Sequence, residues 1–145
     1  MLARCEGGRV DDGAVPVTSR KNITLSDYEK DYAMSRAVVQ GDWCFVSGTV
    51  GNNYQTGEIP EDAAQQTMNC FTNIQAALKG GGFELGHTIR VQYTLTSRDH
   101  IDAVLPVIRQ HFGNILPAAT MVIADLVDER MKVEIEVTAY KGTGT

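Results

Sequence analysis

No apolar run in the 145 residues approaches the ~18 that a membrane-spanning helix needs, so no membrane association is expected. Positive charge is also scarce. The chain has 13 Lys and Arg against 18 Asp and Glu, for a net charge of -5 and a pI near 5.1. Such a chain offers no basic footprint, and nucleic acid is not an expected partner. Cysteine is limited to Cys5, Cys44 and Cys70, which are far apart and odd in number. They form neither a CxxC pair nor a disulfide framework, which suits a reducing compartment. The N-terminus lacks the apolar core of a secretion signal, and a cytoplasmic location is expected. His87, His100 and His111 have no ligand-spaced partners, and the last two would stand ~16 Å apart along one helix, so no metal site is expected. No G-x-S-x-G elbow, Walker loop or dinucleotide fingerprint occurs, and no cofactor is implied. Gly80-Gly81-Gly82 follows a helix rather than preceding one, which makes it a C-terminal stop and not a phosphate cradle.

What is present reads as one soluble domain. The length suffices for a single core, and the 43% hydrophobic and 21% charged content matches ordinary globular chains. Residues 1–20 show no periodicity and read as a flexible arm before a domain spanning 21–145. Ile23 to Tyr32 is ambiguous between a short edge strand and a turn. Ser35–Gln40 and Trp43–Val50, joined by Gly41-Asp42, read as a hairpin. Pro60 is a plausible first residue of a helix whose apolar stripe is Ala64, Met68, Phe71, Ile74 and Leu78. Ile89, Val91, Tyr93 and Leu95 alternate with polar residues and predict a strand. Ser97 or Asp99 can cap a second helix carrying Ile101, Val104, Leu105, Ile108 and Phe112. Pro106 should bend that helix or delay its start, and Gly113 should stop it. Two last strands, Thr120–Leu126 and Met131–Tyr140, are expected to pair as a hairpin across Val127–Arg130. Cys44 and Cys70 fall in apolar patterns and should be core residues.

Two helices can cover one face of a sheet. The segments Trp43–Val50 and Thr120–Leu126 are nevertheless apolar on both sides, so a second copy of the chain is expected to cover the helix-free face. On the last strand Glu134 and Glu136 point the same way, about 7 Å apart. Each reads either as a solvated surface carboxylate or, if partly desolvated at an interface, as a general base holding water.

Several motifs then fall in register: Cys44-Phe45-Val46-Ser47-Gly48-Thr49, Thr56-Gly57-Glu58-Ile59, the amphipathic helix, Phe112-Gly113, Leu116-Pro117-Ala118-Ala119-Thr120 and Val133-Glu134-Ile135-Glu136-Val137. In this order they resemble the RidA (YjgF/L-PSP endoribonuclease-like) family over residues 32–141. The resemblance implies an α+β fold like the chorismate mutases, a mixed sheet with two helices on one face. It also implies a homotrimer with a small-metabolite cleft between subunits. The activity it implies is hydrolysis of reactive imines and enamines to keto acids and ammonia. Carried over residue by residue, Glu134 would position the attacking water. Gly48 and Thr49 form the ligand-contacting turn, Met121 offers its amide, and Tyr32 matches an N-terminal aromatic. The family's carboxylate-binding arginine falls at Ala119, and a polar helix position at Leu105, so the chain resembles an arginine-less branch. A substrate carboxylate would then need Arg36, Arg90, Arg98, Arg130 or Lys132 from elsewhere. The alternative is a non-catalytic binding or chaperone-like module on the same scaffold. A ribonuclease role sits poorly with the acidic composition.

Overall fold

A computed structural model describes residues 19–142. The arm expected over residues 1–20 lies, but for its last two residues, outside the described residues. The elements are β1 (Lys21–Ile23), α1 (Asp27–Asp31), β2 (Ala37–Gln40), β3 (Trp43–Val50), α2 (Ala63–Gly80), β4 (Thr88–Leu95), α3 (Ile101–Phe112), β5 (Ala118–Ile123) and β6 (Val133–Tyr140). The six strands form one sheet in the order β1-β2-β3-β6-β4-β5. β4 and β5 are parallel and every other pair is antiparallel, so the expected α+β mixed sheet is what the chain forms. Among the described residues no helix is long and apolar enough to cross a membrane.

The β2–β3 hairpin forms where the Gly41-Asp42 turn predicted it, with Gln40 opposite Trp43 and Gly41 at φ +58°. The C-terminal hairpin does not form. Instead, β6 crosses back and enters the sheet between β3 and β4, while β5 pairs with the far edge of β4. Two strands close in sequence had suggested a hairpin, but α3 carries the chain from β4 to a parallel neighbour, and that leaves the β3–β4 slot for β6. A parallel connection needs such a crossover.

The α2 helix begins later than Pro60 suggested. Asp62 is its N-cap, its carboxylate accepting from the Gln65 amide at 3.1 Å. The buried face is also rotated from the apolar stripe. Cys70, Phe71, Ile74 and Leu78 are buried as expected, with Ala77, Gln66, Thr67 and Asn73 beside them, while Met68 faces out. These polar residues pin loops. The Gln66 amide donates to the carbonyls of Pro60 (2.6 Å) and Arg130 (2.9 Å) and accepts from the Lys132 amide (2.9 Å). Asn73 donates to the carbonyls of Val50 (3.1 Å) and Asn52 (2.9 Å). A helix that must fix two irregular segments needs amide side chains on its inner face, because loop backbone groups left unpaired there are costly.

On β4, an irregularity between Thr88 and Arg90 turns Thr88 inward and leaves Ile89 out, against the simple alternation. Ser97 caps a short 3-10 turn, Arg98–His100, that leads into α3, with Pro106 inside the helix. The core lies between the sheet and α2/α3, built from Val91, Tyr93, Leu95, Val133, Ile135 and Val137 against Phe71, Ile74, Val104 and Phe112. Cys44 and Cys70 are buried free thiols within it, as expected. On the opposite face, Trp43 (40% exposed), Phe45 (47%) and Tyr140 form an uncovered aromatic group, Trp43 lying 4.8 Å from Tyr140 and 6.2 Å from Phe45.

Candidate functional site

The strand β3 loses its regular register between Val46 and Thr49, where it runs beside β6. Gly48 sits in this irregularity, and its missing side chain makes room for a carboxylate. A Cβ at position 48 would stand 2.6 Å from both Cδ and Oε1 of Glu134. Glu134 leans over the glycine from β6 into a cavity of about 60 Å³ lined by Gly48, Arg36, Tyr28, Asn52, Tyr54 and Met131, among others. One water needs ~10–15 Å³ of such space, so the cavity holds a few waters or a fragment of a few heavy atoms.

The other wall is built by the entry to β2. Ser26 precedes the short helix α1, and Glu29 accepts from the Leu25 amide at 3.0 Å and from the Ser26 hydroxyl. Glu29 is fully buried and stands 3.6 Å from Nε of Arg36, itself only 4% exposed. Arg36 Nη1 donates to the Gly48 carbonyl at 2.8 Å and to Thr49 Oγ1 at 3.3 Å. The guanidinium is therefore tied to the same irregular turn that admits Glu134. Its carbon lies 6.0 Å from the centre of the Tyr54 ring. No ion pair joins Arg36 to Glu134 among the described residues; both line the same cavity.

Burial pushes the Glu134 carboxyl above the ordinary carboxylate range; the Glu136 charge adds to this and Arg36 opposes it. Burial also raises the Glu29 carboxyl, but hydrogen bonds from Ser26 and the Leu25 amide, with the Arg36 charge, outweigh it and leave the group below its usual range. The Tyr54 phenol is pushed up to about 12, chiefly by burial. One carboxylate is thus poised to take a proton and the other to stay ionised. Glu136, two residues on, is exposed. The two glutamates that the strand pattern left equivalent are separated by burial alone.

Of the residues singled out from the sequence, Glu134 and Gly48 meet in the cavity. Thr49 lies beside them, buried, its hydroxyl turned back to the Ser47 carbonyl at 2.7 Å. Tyr32 is exposed and stacks on Tyr28, rings 4.2 Å apart, so it reaches the cavity wall only through that neighbour. Ala119 and Met121 lie on the edge strand β5 in the rows of Val91–Val137 and Tyr93–Ile135, the sheet face opposite Glu134. Leu105 is on α3. One chain does not bring these three to Glu134. Of the five cations named as substitutes, Arg36 alone lines this cavity. Arg90 bonds Thr120, Arg130 pairs with Asp128, and Lys132 donates to the Glu61 carbonyl.

Asn52 and Tyr54 went unnoticed in the sequence, where Gly51-Asn52-Asn53 reads as turn chemistry. Their signal was a tyrosine amid turn formers, a bulky ring where solvated residues are usual. Among the described residues no group of three or more His, Cys, Asp or Glu side chains converges to hold a metal ion.

The chain matches the family model described as Endoribonuclease L-PSP over residues 27–141. The crystal structure of a YjgF/YER057c/UK114 family member from Mycobacterium tuberculosis superposes with a TM-score of 0.76 at 31% identity, covering 84% of this chain and 99% of that one. A 2-iminobutanoate/2-iminopropanoate deaminase of Dermatophagoides farinae is 28% identical over 106 residues, 70% of this chain and 80% of that protein. The Escherichia coli TdcF structure with bound serine aligns with a TM-score of 0.70 at 26% identity, covering 74% of this chain and 87% of that one.

Proposed function

The chain belongs to the Endoribonuclease L-PSP (RidA/YjgF) family, and from that premise we propose that it is a deaminase-type hydrolase acting on a small imine or enamine. The observation that carries this reading is the carboxyl of Glu134, raised by burial and facing a cavity that also presents a cation. A base whose pKa is drawn toward neutrality takes a proton from water more effectively than an ordinary surface carboxylate. Water adds to the C=N carbon while Glu134 takes its proton. That proton passes to the nitrogen, the carbinolamine collapses, and ammonia leaves with the ketone behind. Every atom of water and imine is accounted for in ketone and ammonia, and no redox partner is required. The relative named as an iminobutanoate deaminase and the relative holding serine support a substrate of amino-acid size.

The assembly suited to this reading is a homotrimer, with Ala119, Met121 and Leu105 of one copy closing the cavity of the next. The uncovered aromatic face of Trp43, Phe45 and Tyr140 supports it, because a group of that kind left to water favours association. A cytoplasmic location fits the reduced thiols. The test is ammonia release from imino acids freshly generated from serine or threonine. Loss of at least two orders of magnitude in Glu134→Gln is the expected result; a wild-type rate equal to the uncatalysed background removes the proposal. Alanine at position 119, where a carboxylate-binding cation would stand, favours a second reading, a binding module without turnover. In that case Glu134→Gln leaves ligand-induced stabilisation intact and no ammonia is released by either protein.

A further inference from the structure

Three residues that line the Glu134 cavity each carry a buried polar atom without a hydrogen bond: Tyr54 Oη, Asn52 Oδ1 and Arg36 Nε, which faces Glu29. A single orphaned group is tolerable, but each one costs free energy comparable to a lost hydrogen bond, and native chains keep them few. Three on residues that line one small cavity point to a common partner there. Two are donors, Arg36 N–H and Tyr54 O–H, and one is an acceptor, Asn52. Glu134 adds a second acceptor on the β6 side.

The remaining bonds of Arg36 sharpen the polarity. Nη1 is occupied by the Gly48 carbonyl and Thr49 Oγ1, and no bond from Nη2 occurs among the described residues. Glu29 balances the guanidinium charge but does not fill its donors. Its oxygens are taken by Ser26 and the Leu25 amide, and 3.6 Å to Nε is too long for a good hydrogen bond. Asn73 ties down the backbone at Val50 and Asn52, on the loop that leads to Tyr54.

We propose that Arg36 and Tyr54 form, inside one subunit, the anion-binding end of this cavity, where they take the carboxylate of a small substrate that elsewhere in the family would need a cation at position 119. The substrate's nitrogen then faces Asn52 and Glu134, the acceptor end. This inference rests on the deaminase reading for the identity of the cavity but concerns binding, which is measurable without turnover. Tyr54 acts as a specificity residue, since its hydroxyl distinguishes an anionic oxygen from an apolar end.

The experiment is calorimetric titration of the full chain with pyruvate, a three-carbon 2-oxo carboxylate, and with its neutral amide. Pyruvate is expected to bind at least tenfold more tightly than the amide. Tyr54→Phe removes one hydrogen bond to a charged group and should weaken pyruvate roughly tenfold or more. Its unliganded thermal midpoint should hold or rise, because the hydroxyl removed has no partner. Arg36→Lys keeps the charge but loses the fork and should also weaken pyruvate. If Arg36→Lys fails to fold, Tyr54→Phe alone decides. Equal affinity for pyruvate and its amide, equal affinity of wild type and Tyr54→Phe, or no pyruvate binding by the wild type overturns the proposal. Glu134→Gln separates the two readings. Tyr54-dependent pyruvate binding with no imine turnover in the wild type keeps this site and sinks the reaction; turnover lost in Glu134→Gln, with pyruvate binding indifferent to Tyr54, does the reverse.

Discussion

Replacing Gly48 by alanine separates the chemistry from the fold more cleanly than any other single change. The backbone at position 48 is not in the left-handed region, so alanine adopts it without strain, and the perturbation is purely spatial. The new methyl would stand 2.6 Å from Cδ and Oε1 of Glu134 and 3.1 Å from Oε2. Ordinary non-bonded carbon contacts are ~3.5–4.0 Å, so the carboxyl has to withdraw by about 1 Å. What it meets is the end of a flexible side chain, and moving that end costs ~0.5–1.5 kcal/mol of rotamer strain. Against this, the loss of glycine's freedom in the unfolded chain returns ~0.4–1 kcal/mol. Stability should therefore stay within ~1 kcal/mol of wild type, a shift of a few degrees in thermal midpoint. A misplacement of about 1 Å in a catalytic group costs on the order of 100-fold in rate, ~2.7 kcal/mol of barrier. Ammonia release and a melting curve on the same preparation test both halves. Carbon-13 NMR of the labelled Glu134 carboxyl adds a readout independent of substrate, and its titration should shift toward an ordinary carboxylate as the group moves out. Wild-type turnover with an unmoved titration would refute the assignment of Glu134. A fall in thermal midpoint beyond ten degrees would show that the backbone, not the side chain, gives way.

Glu134 also predicts a pH dependence. Its folded pKa is raised, so the folded state holds more protons than the unfolded one between the ordinary carboxylate value and the raised value. Stability falls as pH rises through that window. Glu134→Gln should therefore be more stable than wild type at neutral pH and equal to it in acid, as urea melts at several pH values would reveal; a constant difference would contradict the cause assigned. Gln66→Leu keeps the volume but strands the carbonyls of Pro60 and Arg130 and the Lys132 amide. At ~1–3 kcal/mol per stranded buried group, a loss of several kcal/mol in urea unfolding is expected, and a change under 1 kcal/mol would mean that water replaces the amide. Phe45→Asp places a charge in the uncovered aromatic face and should convert the proposed trimer to monomers by light scattering, while circular dichroism stays native; an unchanged mass would move the proposed interface elsewhere.

The inward row of β6 was readable in the sequence because period and burial agree there: Val133, Ile135, Val137 and Ala139 alternate, and all four are buried. The partner of β6 was not readable. Alternation says which way side chains point, not which strand lies alongside, and the β3–β4 slot is created by a crossover far upstream. Glu134 was visible as a strand carboxylate, yet its difference from Glu136 lies in burial that the strand pattern does not encode. Arg36 emerged only as one of five cations. What distinguishes it is the buried Glu29 on one side and the Gly48 carbonyl on the other, a contact among three segments. Tyr54 and Asn52 gave the weakest signal because turn-forming sequence does not encode which of its side chains face inward.

The central position of β6 also bears on how the chain is made. The strands β3 and β4 have emerged from the ribosome well before residues 133–140, and until those arrive each has one edge with open amides and carbonyls. Closure then requires contacts between segments 95 to 97 residues apart (Cys44 with Ala139, Trp43 with Tyr140), a separation that slows folding. The nascent chain must pass through a stage with two exposed strand edges, a natural point for a chaperone to act or for two chains to mispair. Glu134 arrives on the strand that ends that stage, so no partly built sheet carries the carboxylate that faces the cavity.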